Sequence, residues 1–362
     1  MPRILVRSSP VDFLRAIAPV VEADSNATNH LVGFVFERWT GAGTTLGTTE
    51  GDVKPDADAE ILVTVWEGDE LRLMFSKLDW AQCKLVSPLP PSSFAALALP
   101  LIAPLVSHLL TLSPFSTSPA LLRSLAGPQL LVDAFLAAWP HPRKPKPSMW
   151  MLPASTTVPP SPVSLPSGHS AARLKDVDEL RQENLEHLAR CLIGFFGDHD
   201  GAPKLTVEQA AADLRKTVPT GCMWVYWAPL SSSPEASAST DPVPVGFVTT
   251  GRPTLRTVAI RGVYVAPSHR GQGVAARLVG TVVRAHLVDA PRLPLDLEGE
   301  APVEKGKAVE DERTKWGGKD EVCLFVEPDN PAARKVYGRI GFVEAENLWC
   351  DVDLEGIEPG HW

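Results

Sequence analysis

The stretch that decides the fold is "RGVYVAPSHRGQGVAARLVG", Arg261 to Gly280. Val263 and Val265, with Val258 and Ile260 before them, supply the β-branched residues of a strand. Gly262 inside that strand weakens it unless a bulge or a close neighbour is wanted there. After Pro267 the chain turns, and Gly271 and Gly273 permit backbone conformations and approaches that a Cβ blocks. From Val274 the period changes: Val274, Leu278 and Val282 share one helical face, and Arg277, Thr281 and Arg284 another. Gly271, Gln272, Gly273, Val274 and Ala275 therefore form the amino end of an amphipathic helix. A helix start carries unpaired N–H groups and partial positive charge, which suit a phosphate, and Arg270 adds a full charge. Taken alone, the glycine pair fits a strand-to-helix turn equally well.

Working outward, the strand follows a regular series. "KDVDELRQENLEHLARCLIGFF" reads as a helix, and so does "TVEQAAADLRKTV", with Thr206 and Gln209 placed as a capping box. "CMWVYWAPL", "VPVGFVTTG" and "RTVAIRGVYVAP" read as three strands. The helix after the glycine turn runs to about Leu287, followed by the strand "VCLFV", another helix and the tail "LWCDVDL". This order predicts a mixed α+β sheet domain. In "LFVEPDNPAARKVYGRIGFVE", Asn330 before Pro331 is a good helix start and Gly341 a good stop. Ala333, Val336, Tyr337 and Ile340 share a face. By spacing alone Asn330 is a cap and Tyr337 a core residue.

These two segments together resemble the GNAT acetyltransferases. "VYVAPSHRGQGVAARLV" is similar to that family's acyl-CoA motif, Arg/Gln-x-x-Gly-x-Gly/Ala, carried here by Arg270, Gly273 and Ala275. The dinucleotide pattern GxGxxG is not met, because Ala276 stands where its third glycine belongs. The later motif, strand, Asn, helix, Tyr, then Gly–Phe, matches Asn330, Tyr337, Gly341 and Phe342. The resemblance implies a GNAT fold with a mixed, mostly antiparallel sheet, splayed at the acyl-CoA site. It implies that Val263, Tyr264 and Val265 pair with the pantetheine arm, that the turn amides hold the CoA diphosphate, that Asn330 contacts CoA and that Tyr337 donates a proton to the departing thiolate. Acetyl-CoA is then the co-substrate, with no metal expected. The likeness spans about Ser170 to Leu354. More weakly, the N-terminal half resembles a degenerate copy of the same fold, with "SNATNHLVGFVFERW" similar to the first copy of tandem members. No Arg-x-x-Gly-x-Gly occurs there, so that half is not expected to bind CoA.

Many members place a glutamate on the strand before the motif to take the amine's proton. "RTVAIRGVYV" contains no carboxylate, and Asp198, His199 and Asp200 in "GFFGDHDG" are candidate stand-ins, as is a water chain. The expected reaction is acetyl transfer to a small-molecule amine, with protein lysine or N-terminal acetylation as the alternative and a non-catalytic acyl-CoA sensor as a third.

With 362 residues, two domains are expected. The boundaries read as residues 1–144 for a degenerate GNAT-like domain, 145–169 for a proline-rich linker, "PKPSMWMLPASTTVPPSPVSLPSGH", and 170–362 for the catalytic domain. "AEILVTVWEGDELRLMFSK" reads as two strands around Glu67–Gly68–Asp69, and "ALLRSLAGPQLLVDAFLAAW" as helices around Gly127–Pro128. Asp24–Ser25–Asn26 and Asn29–His30 read as a cap or loop, with no catalytic constellation in that half. The stretches 231–244 and 298–321 read as loops, the second highly charged. Net charge of −9 argues against nucleic acid or an acidic membrane surface as partner. "FAALALPLIAPLVSHLLTL", Phe94 to Leu112, is almost long enough to span a bilayer, but Pro100, Pro104, Ser107 and His108 favour a kinked buried helix. Five scattered cysteines without metal-like spacing read as thiols of a reducing compartment, so a cytoplasmic monomer or homodimer is expected.

Overall fold

The computed structural model describes residues 2–23, 26–40, 60–78, 82–140, 145–178, 180–198, 204–229, 241–289 and 318–355. The first half runs β1 (Arg3–Arg7), α1 (Pro10–Ala16), α2 (Ala18–Ala23), α3 (Asn26–Thr40), β2 (Ile61–Glu67), β3 (Glu70–Lys77), β4 (Cys83–Val86), an irregular helical stretch ending in α4 (Ile102–Leu109), β5 (Ser124–Pro128), α5 (Gln129–Ala138) and β6 (Pro145–Thr156). The second half runs β7 (Ser170–Arg173), α6 (Gln182–Gly197), α7 (Val207–Thr217), β8 (Met223–Pro229), β9 (Pro242–Gly251), β10 (Thr257–Val265), α8 (Val274–Arg284), β11 (Glu321–Val326), α9 (Pro331–Ile340), β12 (Val343–Glu344) and β13 (Trp349–Leu354).

All these strands join one sheet in the order β1-β2-β3-β4-β5-β13-β6-β11-β10-β9-β8-β7, with β12 against β6. Among the described residues just two neighbour pairs are parallel, β4 with β5 and β10 with β11. Each parallel pair closes one antiparallel series and is followed by a helix and a final strand. The two halves thus repeat one plan, an α+β fold with a mixed sheet. Each half also lends its last strand to the other. β13, from the end of the chain, lies between β5 and β6, while β6 pairs with β11. Apolar clusters cover both faces of both halves. α8 packs on one face of the second half, over β8, β9 and β10, with Val274, Leu278, Val279, Val282 and Val283 buried. α6 and α7 cover the other face. α3, from the first half, lies across β3, β4, β6, β10 and β11 and so bridges the halves.

Three expectations change. First, residues 145–156, expected as linker, form β6; 157–169 carry no strand or helix. β6 pairs with β13 along 145–151 and with β11 along 152–156, so Pro147 and Pro153 each have an edge on which the missing N–H costs no ladder bond. Second, Ser124–Pro128 is strand β5, not helix; the helix of that stretch starts at Gln129. All five residues are buried, so the strand shows no alternation, and a Cβ at Gly127 would overlap the Leu85 carbonyl of β4. Third, Asn29 and His30 are buried in α3 rather than in a loop. The hairpin around Gly68 is as expected, with Gly68 at φ +61°. Pro91–Leu109 is long and apolar enough to cross a membrane, yet Phe94, Ala98, Leu101, Ile102, Leu105, Val106 and Leu109 pack into the first half's core. The five cysteines are buried thiols, and none forms a disulfide. Most of 231–244 and of 298–321 lies outside the described residues.

Candidate active site

The glycine turn has the form its sequence predicts. Pro267–His269 makes one tight turn, closed by His269 N donating to Ala266 O at 2.8 Å. Gly271 and Gly273 follow at φ +78° and +77°, in the left-handed region that other residues pay to enter. α8 then begins, and Arg277 N donates to Gly273 O at 3.1 Å. The amides of Val274, Ala275 and Ala276 therefore lie ahead of the first intrahelical bond, as the donors of a helix start do. Two arginines flank them. Arg270 donates through Nε to Val265 O at 2.9 Å and through Nη2 to Asp198 at 2.8 Å. Arg277 donates to Gln272 O at 2.6 Å, and its Nη1 would be 3.2 Å from a Cβ at Gly273. The result is an exposed turn of anion-seeking donors whose glycines are demanded by their positive φ rather than by lack of space.

Beside the turn the sheet forks. β10 pairs with β11 from Thr257↔Glu321 to Ile260↔Leu324. At Arg261 a bulge inserts one residue, since Ile260 faces Thr250 and Gly262 already faces Thr249. A Cβ on Gly262 would be 2.9 Å from Thr249 Oγ1 and 3.1 Å from the Phe195 ring, so the bulge requires glycine here. Beyond it, Val263, Tyr264 and Val265 pair with β9 alone. Alternate N–H and C=O groups of this segment thus face the gap left by β11, available to an extended ligand. The Tyr264 ring turns away from the gap and packs beneath α6, filling the space over Gly194.

α9 supplies the second element. Asn330 Oδ1 accepts from Ala333 N at 3.0 Å, Pro331 opens the helix, and Gly341 closes it at φ +106°. α9 packs on α8, with Tyr337 edge-on to Phe342 at 5.8 Å between centroids. Burial pushes the Tyr337 phenol up to about 12, which keeps its proton in place at neutral pH. Asn330 is a cap, as spacing suggests, and its exposed position leaves its remaining polar atoms to solvent or ligand.

Of the candidate bases, His199 and Asp200 lie outside the described residues. Asp198 ends α6 and is exposed, held by Arg270. That pair ties the turn to α6 and engages the carboxylate.

The groups that sequence reasoning missed gather around α3 of the first half. α3 brings His30, Phe34 and Glu37 onto the sheet at the fork. Glu37 Oε1 accepts from Arg252 N at 2.6 Å, and Asn29 Nδ2 donates to Arg252 O at 2.8 Å. Arg252 Nη1 meets His30 Nδ1. α3 lies so close that a Cβ on Gly33 would be 2.5 Å from Arg252 Cβ. Lys84 of β4 sits 3.8 Å over the Phe34 ring, with Arg261 at 5.5 Å and Arg252 at 5.9 Å from it. Asp351 of β13 completes the cluster at 0 % exposure, its carboxyl pushed up to about 7 chiefly by burial. Burial likewise pulls Lys84 down to about 7 and His30 well below its usual value. The available signal was the spacing of His30, Phe34 and Glu37, at i, i+4 and i+7 on the apolar face of α3.

The first half has the equivalent of the fork at β4 and β5, but its turn after β4 contains Pro88, Pro90 and Pro91. Prolines have no N–H, so this turn offers fewer backbone donors than the glycine turn.

Comparison with known proteins agrees with this geometry. Residues 206–289 match the acetyltransferase (GNAT) family, a span that contains the glycine turn and stops short of Asn330 and Tyr337. No curated protein matches the chain in sequence. Among solved structures, a Drosophila protein has TM-score 0.51 at 10% identity, covering 98% of each chain; it shares the fold. A GCN5-related N-acetyltransferase from Sphaerobacter thermophilus has TM-score 0.48 at 16% identity, covering 99% of this chain and 96% of its own. A tandem GNAT protein from the clavulanic acid biosynthesis pathway has TM-score 0.45 at 12% identity, covering 99% of this chain and all of its own.

Proposed function

We propose that this chain, which belongs to the GNAT acetyltransferases with two GNAT-like halves, moves an acetyl group from acetyl-CoA to the primary amine of a small molecule. The observation that carries the reading is the fork between β10 and β11 opening directly beside the glycine turn. In this reading the amides of Gly271 to Ala275 hold the diphosphate, with Arg270 and Arg277 supplying charge. The extended arm lies along Val263, Tyr264 and Val265, and the thioester carbonyl accepts from an amide at the fork. The amine nitrogen attacks that carbonyl carbon, the C–S bond breaks, and Tyr337 gives its proton to the sulfur. A half-buried phenol that stays protonated suits this donor role. Asp198 is engaged by Arg270 and β10 offers no carboxylate, so we assign the amine's proton to water at the open fork.

The test is release of CoA thiol from acetyl-CoA, measured with a broad panel of amines for the wild type and Tyr337→Phe. Amine-dependent release that the substitution slows supports the reading. CoA binding without amine-dependent release would instead make the protein an acyl-CoA sensor, and far faster acetylation of peptides would make it a protein-modifying enzyme.

A further inference from the structure

The glycines that shape the turn leave one choice open. Gly271 and Gly273 stand at φ +78° and +77°, yet glycine adopts either sign of φ about equally readily. Turning over the Gln272–Gly273 peptide would reverse the sign of φ at Gly273 at little cost to that residue. A trans peptide is planar, so its C=O and N–H point opposite ways. One orientation therefore offers an N–H beside the helix start, and the other offers a carbonyl oxygen, which repels a phosphate. A group outside the glycines has to select between them.

Arg277 makes that selection. Its Nη1 donates to Gln272 O at 2.6 Å, a short, charge-assisted bond that turns the carbonyl onto the guanidinium. The guanidinium fills the space beside Gly273, with Nη1, Cζ and Nη2 at 3.2, 3.6 and 3.9 Å from where a Cβ would stand. The backbone of the same residue donates to Gly273 O at 3.1 Å. Arg277 thus grips both carbonyls at the end of the turn.

Arg277 is itself held from below. Tyr226 of β8 is 0 % exposed, and its ring lies in the apolar cluster beneath α8. Its hydroxyl bonds the Arg277 side chain. Arginine only donates, so the hydroxyl oxygen accepts from it and the O–H is given to His169 Nδ1 at 3.2 Å. The rest of the turn is braced alike. Gln272 Nε2 donates to Ser268 O at 3.0 Å, the Ser268 hydroxyl meets His269 Nδ1 at 2.9 Å, and the His269 ring bonds the Pro229 carbonyl. β8 therefore anchors the turn at two points, Tyr226 and Pro229.

We propose that Arg277 and Tyr226 are positioning residues: Arg277, steadied by the Tyr226 hydroxyl, fixes the Gln272–Gly273 peptide in the orientation that receives a diphosphate. This rests on the acetyl-CoA reading and adds a requirement to it. Tyr226 has no exposed surface, so any effect of its hydroxyl on the ligand passes through Arg277. The arrangement prepares the turn before the ligand arrives, which lowers the cost of binding.

The experiment uses the full-length protein with Tyr226→Phe, Arg277→Lys and Arg277→Met. CoA and inorganic pyrophosphate are each titrated calorimetrically, melting temperatures are recorded, and KM and kcat for acetyl-CoA are measured with an amine from the panel. Tyr226→Phe keeps the ring and every charge, and should weaken CoA about fivefold, the worth of one hydrogen bond. Arg277→Met should weaken it about 30-fold. Arg277→Lys retains a point charge but cannot bridge carbonyl and hydroxyl, so its Kd should stay at least about fivefold above that of the wild type. Pyrophosphate should weaken by similar factors, and the change should fall on KM for acetyl-CoA far more than on kcat. An unchanged Kd in Tyr226→Phe, with or without a lower melting temperature, overturns the proposal and leaves CoA binding standing. Full recovery in Arg277→Lys overturns it as well, because charge alone would then suffice. A wild type that binds neither CoA nor pyrophosphate overturns it together with the acetyl-transfer reading.

Discussion

Gly273→Glu tests the diphosphate cradle, and its effect can be worked from the turn. Gly273 sits at φ +77°, so any L-side chain is strained there. The strain costs about 1–2 kcal/mol of stability. The new Cβ would be 3.2 Å from Arg277 Nη1, the movable end of a long side chain, so space alone does not forbid it. Gly273→Ala carries this strain without charge and serves as the control. The glutamate adds a negative charge about 4–6 Å from the diphosphate. Two unit charges at 4 Å repel by about 1 kcal/mol in water and about 4 kcal/mol at an effective dielectric constant of 20. The turn is exposed, so about 1–2 kcal/mol per phosphate charge applies, or about 2–4 kcal/mol for two. At about 1.4 kcal/mol per decade, CoA binding weakens about 30- to 700-fold. The glutamate also competes for Arg270 and Arg277. Isothermal titration of CoA into the wild type, Gly273→Ala and Gly273→Glu measures this, and the gap should narrow at high salt. A Kd for Gly273→Glu within threefold of the wild type would remove the diphosphate from this turn.

Tyr337→Phe should lower kcat about a hundredfold while the Kd for acetyl-CoA stays the same, as stopped-flow and titration would show; an unchanged kcat would deprive the phenol of its role. Because that phenol ionises only at about 12, it should produce no fall in kcat/KM between pH 7 and 10. Asp351 has a folded value of about 7, raised above the unfolded carboxylate range, so its stabilisation is complete below about pH 4 and is lost as pH rises through 7. Asp351→Asn should therefore flatten the decline in urea-unfolding stability between pH 4.5 and 7, and an equal slope in both proteins would contradict the burial of that acid. Gly262→Val should cost about 1–3 kcal/mol by forcing Thr249 and Phe195 apart, seen as a lower melting temperature, and should weaken acetyl-CoA binding by closing the bulge.

The second half was legible because its signals are local. Gly271, Gly273 and Gly341 each mark a backbone turn with positive φ, and Asn330–Pro331 and Thr206–Gln209 mark helix starts within four residues. What stayed hidden depends on distant partners. Pro145, Pro147 and Pro153 read as linker until strands from far along the chain pair with the stretch. Ser124–Pro128 contains ordinary helix formers and becomes a strand because β4 and β13 bury it on both edges. The cluster at the fork draws on α3, β4, β9, β10 and β13, so no window of sequence contains it. Its members on α3, Asn29, His30 and Glu37, sit 223, 222 and 215 residues from Arg252, which directly follows β9.

The account is tested most directly by a crystal structure of the full-length protein with CoA. It predicts a single molecule per chain, its diphosphate within about 3 Å of the amides between Gly271 and Ala275 and its sulfur next to the Tyr337 hydroxyl. A CoA molecule bound at the proline-containing turn of the first half, or one whose sulfur points away from Tyr337, would contradict it.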